Sequence, residues 1–356
     1  MSKILIVGGT FDDNGGKPSS VVNKVYETVL AQGYAVDVIN GGNFEEVESI
    51  LESTVNYKYV IWWANVPNDK EKIRNVKDIN PKCILITSKR NDDEKYGFAE
   101  LINRALGAKA NLCVEFSKWN DLYKMRLFDP LGNLWYKGMN VGDMTNAMID
   151  RMFFLAAVTR QGCLHADGNI TVPDEKEFFE LVKHYGDVFH DLIQPDKGVT
   201  RYLGNATFRC QRGFPSFRRK DNIFVSQRNV DKRYIDRDSF VPVKLEDDVL
   251  WYYGNNKPSV DTPIQTRLYN LFPNINYMIH AHVYIKDAPF TSHNIPCGGI
   301  EEVTEILEAV KLDTKKDFYA INLIGHGCIV MAKNVKQLRN LNYVARNMPE
   351  RIIETE

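Results

Sequence analysis

No stretch of this 356-residue chain approaches the ~20 consecutive apolar residues that span a bilayer, so no transmembrane helix and no membrane partner is expected. The opening MSKILIVGG runs into glycines after a few apolar residues, too short for a signal-peptide core, and reads as a first strand. There is no CxxC pair. The cysteines Cys83, Cys113, Cys163, Cys210, Cys297 and Cys328 are scattered, and several sit in apolar runs such as Lys82-Cys83-Ile84-Leu85, where cysteine acts as a small hydrophobe. That pattern argues against a disulfide framework and for a reducing, cytoplasmic location. Charge of one sign is also missing: 45 basic against 46 acidic residues leave a formal −1, so no global field draws the chain to nucleic acid or anionic lipid. Neither GxGxxG nor GxxxxGKS/T occurs, so no nucleotide is specified, and no internal repeat or low-complexity tract is found.

What is present is enough for two soluble domains: 44% hydrophobic and 26% charged residues over this length. The first half alternates near-continuous apolar runs (Ile4 to Val7, Ala35 to Ile39, Tyr59 to Trp63, Cys83 to Thr87, Leu112 to Glu115) with amphipathic stretches such as Ser20 to Gln32 and Phe44 to Glu52. Strands apolar on both faces and separated by helices predict a parallel, doubly wound sheet of flavodoxin-like or Rossmann-like outline. Residues 123–138 read as a hairpin around Pro130-Leu131-Gly132-Asn133, and a helix from about Asp143 to Thr159 closes the unit. Turn formers from Gly162 to Pro173 place the boundary there, giving domains 1–165 and 166–356. Beyond it, Asp174 caps a helix to about Leu192. Short strands follow at Ala206 to Cys210, Asn222 to Ser226, Phe240 to Val243, Tyr277 to His282, Ala320 to Ile324 and Cys328 to Met331. Helices are expected over Pro263 to Phe272, Glu301 to Val310 and Val335 to Glu350.

Three of the seven histidines stand in a suggestive context. His280 and His282 end an apolar run, and residues two apart on a strand share a face, so both rings can reach one ion. His326 lies between glycines in Ile324-Gly325-His326-Gly327-Cys328, where backbone can approach closely. Three neutral imidazoles leave a zinc ion an open position for substrate. By itself HxH is more often a chance pair on a strand than a metal site.

The context that raises it is an ordered series: GNATFR from Gly204, NIFVS, KPSVDTPIQTRLY, INYMIHAHVY, NIPCGG and AINLIGHGCIVMAKN. The series resembles the class II aldolase and adducin head family over about residues 174–345. The resemblance implies an α/β/α domain with a mainly antiparallel central sheet, and His280, His282 and His326 as ligands of Zn2+ or of Mn2+, Fe2+ or Co2+. It implies a phosphate pocket at Gly204, Asn205, Ser226 and Ser259. The family's PSSE motif reads Pro258-Ser259-Val260-Asp261 here, so Val260 lacks the expected donor and Asp261 offers a shorter carboxylate as acid/base. Asp261 is equally a helix cap before Thr262-Pro263. The family's proton donor is a tyrosine in a loop after HxH. Here the short stretch from Val283 to Cys297 departs from that pattern and offers only Tyr284, with His293 as the alternative donor, and either is equally a packing or surface residue.

The activity implied is a metal-dependent lyase of carbohydrate metabolism. It cleaves a small polyhydroxylated, phosphorylated or carboxylated carbonyl compound through an enediolate whose charge the metal holds. A dehydratase or epimerase on the same scaffold, and a non-enzymatic adducin-like interaction module, are the alternatives. A homo-oligomer, a tetramer in the family, and a sugar-phosphate-like small molecule are the implied partners.

Two further features stay open. Basic residues from Arg209 to Arg233 (Arg209, Arg212, Arg218, Arg219, Lys220, Arg228, Lys232, Arg233) interleave with Phe208, Phe214, Phe217 and Phe224. With a neutral chain they read as a local anion pocket or an oligomer contact, an arginine replacing what Val260 lost, rather than a nucleic-acid surface. In the first domain, Gly8-Gly9-Thr10 and Asn14-Gly15-Gly16-Lys17-Pro18-Ser19-Ser20 form a loop and helix start that reads as an anion site or an ordinary connection.

Overall fold

The computed structural model describes residues 3–43, 45, 49, 57–65, 83–91, 98–119, 122–193, 202, 204–209 and 222–346. The expected helix Phe44 to Glu52 and the basic residues at 212, 218, 219 and 220 lie outside them or nearly so. The chain divides into one compact unit over Met1–Ala157 and another over Val158–Arg346.

In the first unit, β1 (Lys3–Phe11), β2 (Ala35–Gly42), β3 (Tyr59–Asn65), β4 (Ile84–Asn91) and β5 (Leu112–Trp119) lie parallel in the order β2-β1-β3-β4-β5. The antiparallel hairpin β6 (Leu122–Phe128) and β7 (Leu134–Gly138) extends the sheet beyond β5. Alternation along β1 explains its unbroken apolar run. Ile4 and Ile6 pack with Val22, Val25 and Val29 of α1 (Ser20–Ala31), and with Met144, Met148 and Met152 of a later helix, Val141–Ala157. Leu5 and Val7 join Val60, Trp62 and Leu85 on the other face. The helix α2 (Phe98–Ala108) sets Leu101 and Ala105 against Cys113 and Phe128; Val141–Ala157 is α3. Asp129 closes the hairpin by accepting the N–H groups of Leu131 and Asn133 at 2.9 and 3.1 Å.

The second unit is a helix–sheet–helix sandwich, which is the α/β/α class expected. Its sheet orders β15 (Phe318–Leu323), β16 (Gly327–Ala332), β13 (Tyr277–Ala281), β9 (Asn205–Arg209), β10 (Asn222–Ser226), β11 (Phe240–Glu246), β12 (Val249–Tyr253) and β8 (Cys163–Ala166). Every pairing is antiparallel except β12 with β8. On one face α4 (Lys176–Ile193) presses Phe178, Phe179 and Val182 against Phe208, Phe224 and Phe240. On the other, α5 (Thr262–Leu271) and α6 (Glu302–Ala309) set Leu268, Tyr269 and Ile306 against Val225, Met278 and Ile329.

Two local expectations change. Residues 163–166, expected in a turn-rich connection, pair with β12 and lie within the second unit, whose first residue is Val158 rather than one near 166. The helix expected from Val335 is a single 3-10 turn, Val335–Leu338, boxed at its start by Asn334 and Gln337. Asn340 at φ 61° then turns the chain away, and β17 (Tyr343–Val344) pairs with β14 (Tyr284–Ile285) instead. Burial of Tyr343 against Tyr185 and Phe189 favours that extended course. Residues 347–350 are outside the described set. No helix among the described residues is long and apolar enough to cross a membrane.

Candidate metal centre

Strand alternation decides which way the histidines point. Ile279, Ala281 and Val283 enter the core under α4, so Met278 and His280 turn to the face covered by α5 and α6, and His282 follows one residue past the end of β13. His326 arrives from the β15–β16 turn, closed by its own N–H on Leu323 O at 2.9 Å. Two glycines make this approach possible. A Cβ on Gly204 would stand 2.4 Å from His280 O, and one on Gly327 would stand 2.1 Å from Ala281 O, so any side chain at either position displaces the histidine strand.

The three rings converge. Their centroids are 5.1 Å apart for His280 and His282, 4.7 Å for His280 and His326, and 5.0 Å for His282 and His326. One ligand atom from each lies within 4.8 Å of the others, and all three residues are buried. Among the described residues this is the group of histidine, cysteine or carboxylate side chains arranged to hold a metal ion.

Hydrogen bonds fix the tautomers. His280 Nδ1 donates to Cys328 O at 2.9 Å, and His326 Nδ1 faces Glu302 Oε1 at 2.7 Å, so each presents Nε2 inward. His280 Nε2 and His282 Nδ1 are buried with no hydrogen-bond partner. Burial of an unpaired polar nitrogen costs free energy, and two side by side are what a cation would satisfy. Burial first, and then the charge of His326, pushes His280 down to about 4; burial and the neighbouring histidines hold His282 well below the usual imidazole range. Both are therefore neutral and fit to ligate. At His326 burial also works against the proton, but Cys297 and Glu302 outweigh it and raise the ring well above the usual imidazole range. The donor set fits a divalent metal.

Carboxylates reach the site from the first residues of two helices. Asp261 holds the N-cap position of α5, yet its side chain makes no capping bond. Instead Oδ1 accepts Gly298 N at 3.0 Å, Oδ2 accepts Asn205 Nδ2 at 3.0 Å, and Oδ2 stands 3.9 Å from His280 Nε2. Glu302, at the start of α6, is the partner of His326, and burial raises its pKa against the pull of that ring. No sequence signal marked Glu302, because an acidic residue in a first helical turn is ordinary. Cys297 was also missed as a site residue; its Sγ lies 3.2 Å from His326 Nε2.

The remaining expected site residues divide. Asn205 and Ser259 stand beside Asp261, with Asn205 Nδ2 to Ser259 Oγ at 3.1 Å. Ser226 is wholly buried, and its Oγ accepts Ala206 N at 3.1 Å. The Tyr284 hydroxyl accepts Gly325 N at 2.9 Å, next to His326. His293 pairs with Glu305 at 2.7 Å with its side chain 72% exposed. Among the basic run, Arg209 holds Tyr269 O and Phe272 O at the end of α5, and Arg233 grips Asp231, so both serve local structure. Lys232 is buried, its Nζ on Tyr202 O at 3.3 Å. Burial lowers its pKa to about 8 against the pull of Asp231 and Asp261.

Residues 187–286 match the family model described as Class II Aldolase and Adducin N-terminal domain, so the resemblance carried by the sequence motifs is found in the second unit. No curated protein matches the chain by sequence. Among solved structures, it is similar to the DNA/pantothenate metabolism flavoprotein of Streptococcus pneumoniae at 14% identity, covering 43% of this chain and 99% of that one, TM-score 0.34. It is similar to an L-fuculose 1-phosphate aldolase at 16% identity, covering 46% and 82%, TM-score 0.32. The L-fuculose-1-phosphate aldolase of Thermus thermophilus matches at 16% identity, covering 44% and 80%, TM-score 0.30.

Proposed function

We propose that the second unit is a divalent-metal-dependent lyase that cleaves a small polyhydroxylated carbonyl compound bearing an anionic end, with a sugar phosphate as the substrate class. The observation that carries this reading is the pair of buried, partnerless nitrogens, His280 Nε2 and His282 Nδ1, facing His326 beside a carboxylate. His280, His282 and His326 would hold the ion, with zinc favoured by an all-imidazole set. Bound there, the metal supplies Lewis-acid stabilisation for negative charge on the substrate's oxygens.

The chain's own residues do the rest. Asp261, held by Gly298 and Asn205, takes the proton from the hydroxyl one carbon beyond the carbonyl's neighbour. That oxygen's electrons form a new carbonyl, the carbon–carbon bond breaks, and its electron pair moves into the remaining fragment as an enediolate. Return of a proton to that carbon completes the cleavage, with Tyr284 as its donor in this reading. Asn205, Ser259, the Gly204 backbone and Ser226 form the wall proposed to meet the anionic end. The buried ammonium of Lys232 adds positive potential near Asp261.

The test is incubation of metal-loaded protein with a panel of sugar phosphates, with product analysis by mass. Two fragments from carbon–carbon cleavage support the lyase. A product of unchanged carbon count moves the reading to a dehydratase or epimerase, and protein that carries no stoichiometric divalent metal ends it in favour of a binding module.

A further inference from the structure

The three histidines leave a tetrahedral ion one donor short, and the neighbouring groups differ in how free they are to supply it. Both oxygens of Asp261 already hold hydrogen bonds, Oδ1 from Gly298 N and Oδ2 from Asn205 Nδ2. Cys297 has its sulfur 3.2 Å from His326 Nε2, the atom that the Glu302 bond turns inward. Nitrogen and sulfur bound to one tetrahedral zinc, at roughly 2.0 and 2.3 Å from it, lie about 3.5 Å apart, so the observed separation is within a few tenths of that value. The loop is braced at this place: Gly299 N bonds Pro296 O at 2.9 Å, Asn294 Nδ2 bonds Ile324 O at 3.0 Å, and Gly298 N is tied to Asp261. His280 Nε2 and His282 Nδ1, buried and unpaired, converge with His326, and Cys297 reaches this group through its contact with His326.

We propose that Cys297 is the fourth protein donor to the divalent metal held by His280, His282 and His326, an inference that rests on the metal reading above. The Cys297 thiol proton and the Nε2 proton of His326 leave to solvent as the sulfur–metal and nitrogen–metal bonds form, and the contact between the two residues is exchanged for two bonds to one ion. His326 Nε2, unlike His280 Nε2 and His282 Nδ1, has a partner, and that partner is the Cys297 sulfur. A thiolate donor selects a borderline-soft ion, zinc or cobalt, over magnesium or manganese. It also leaves Asp261 free of the metal for proton transfer, with substrate entering as a fifth ligand.

The experiment loads the metal-free full-length chain with cobalt(II) and reads both bound cobalt and the near-ultraviolet thiolate-to-cobalt charge-transfer absorption. Wild-type protein is expected to bind cobalt stoichiometrically with that band, and Cys297→Ser to keep cobalt and lose the band. Cobalt also abolishes alkylation of Cys297 by iodoacetamide in the wild-type chain, a readout that needs no variant. Bound cobalt without the band, a band that persists in Cys297→Ser, or alkylation unaffected by cobalt overturns the thiol donor while leaving the histidine site intact. A chain that binds no cobalt at all overturns the metal reading itself.

Discussion

The two units spend their sheets differently. In the first, strands β1 to β5 are packed on both faces, and a buried carboxylate such as Glu115 is answered at once by Asn91 at 2.7 Å and by Arg126. A hollow of about 490 Å³ opens at the carboxyl ends of the parallel strands and is lined by Gly9, Lys17, Ser19, Trp63 and Arg90. Ser19 leaves the α1 start without a side-chain cap, and Asn40 Oδ1 takes the Ser19 N–H at 2.8 Å. In the second unit one end of the antiparallel sheet buries Asn205, Asp261, His280, His282, Glu302 and His326 together. Such a cluster weakens a core unless something completes it. The first arrangement is what packing alone selects; the second is polar burial that packing alone would remove.

Changes at the histidines test that contrast most sharply. His280→Ala or His282→Ala is expected to abolish stoichiometric metal and to lower lyase activity by about a thousandfold or more, since a metal contributes several kcal/mol to charge stabilisation. Elemental analysis and steady-state rates read both effects. Arg90→Ala, in the hollow of the first unit, leaves metal content unchanged. A His280→Ala protein with wild-type metal would erase the distinction between the units. Asp261→Asn comes next: metal content stays, and the catalytic rate constant falls by roughly 10²–10⁴, the span of general acid–base catalysis. A rate unchanged by that substitution would return Asp261 to the helix-start role its position also suits.

How much of this was legible follows the same contrast. The parallel strands announced themselves because burial on both faces leaves unbroken apolar runs such as Ile4 to Val7. The HxH pair was legible because strand alternation is local, and the carboxylate at 261 because it stood in an ordered series of motifs. Pairs that depend on a distant partner were not: β8 on the edge of β12, and β14 with β17, have too little sequence of their own. The expected helix from Val335 had the right apolar spacing, and only Asn340 in the left-handed region and the aromatic pocket around Tyr343 redirect it. Glu302, Cys297 and Lys232 each looked ordinary, as a first-turn acid, a small hydrophobe and one member of a basic run. Their roles exist only where the folded chain brings them together.

Acid should separate the units as well. The metal-free protein holds His280 at about 4 and His282 well below the usual 6.5, whereas the unfolded chain takes up those protons near 6.5. The unfolded state therefore binds more protons as pH falls from 6.5 toward 4, and stability is lost in that window at up to about 1.4 kcal/mol per pH unit per proton. His326, raised above 6.5, is protonated in the folded state throughout; the unfolded ring joins it within about a unit below 6.5, so its opposing contribution is confined to the top of the window. Denaturant midpoints of wild-type and His282→Ala protein measure this; the variant should show the shallower decline, and equal slopes would mean the rings are not held neutral.

The smallest expected effect concerns Glu302, and it asks whether the buried polar end of the second unit is one connected device. Its Oε1 lies 2.7 Å from His326 Nδ1, and that bond both orients the ring and raises the basicity of Nε2. Glu302→Gln keeps an oxygen acceptor and removes the charge; Glu302→Ala removes both and leaves His326 free to turn. Loss of such an outer partner typically costs 10–100-fold in metal affinity, so the alanine variant should fall near about a hundredfold and the glutamine variant near about tenfold. Competition with a chelator of known affinity gives the ratio directly. The graded order is the informative part: equal losses would mean that shape alone matters, and no loss in either would mean that Glu302 merely begins α6, as any first-turn acid does.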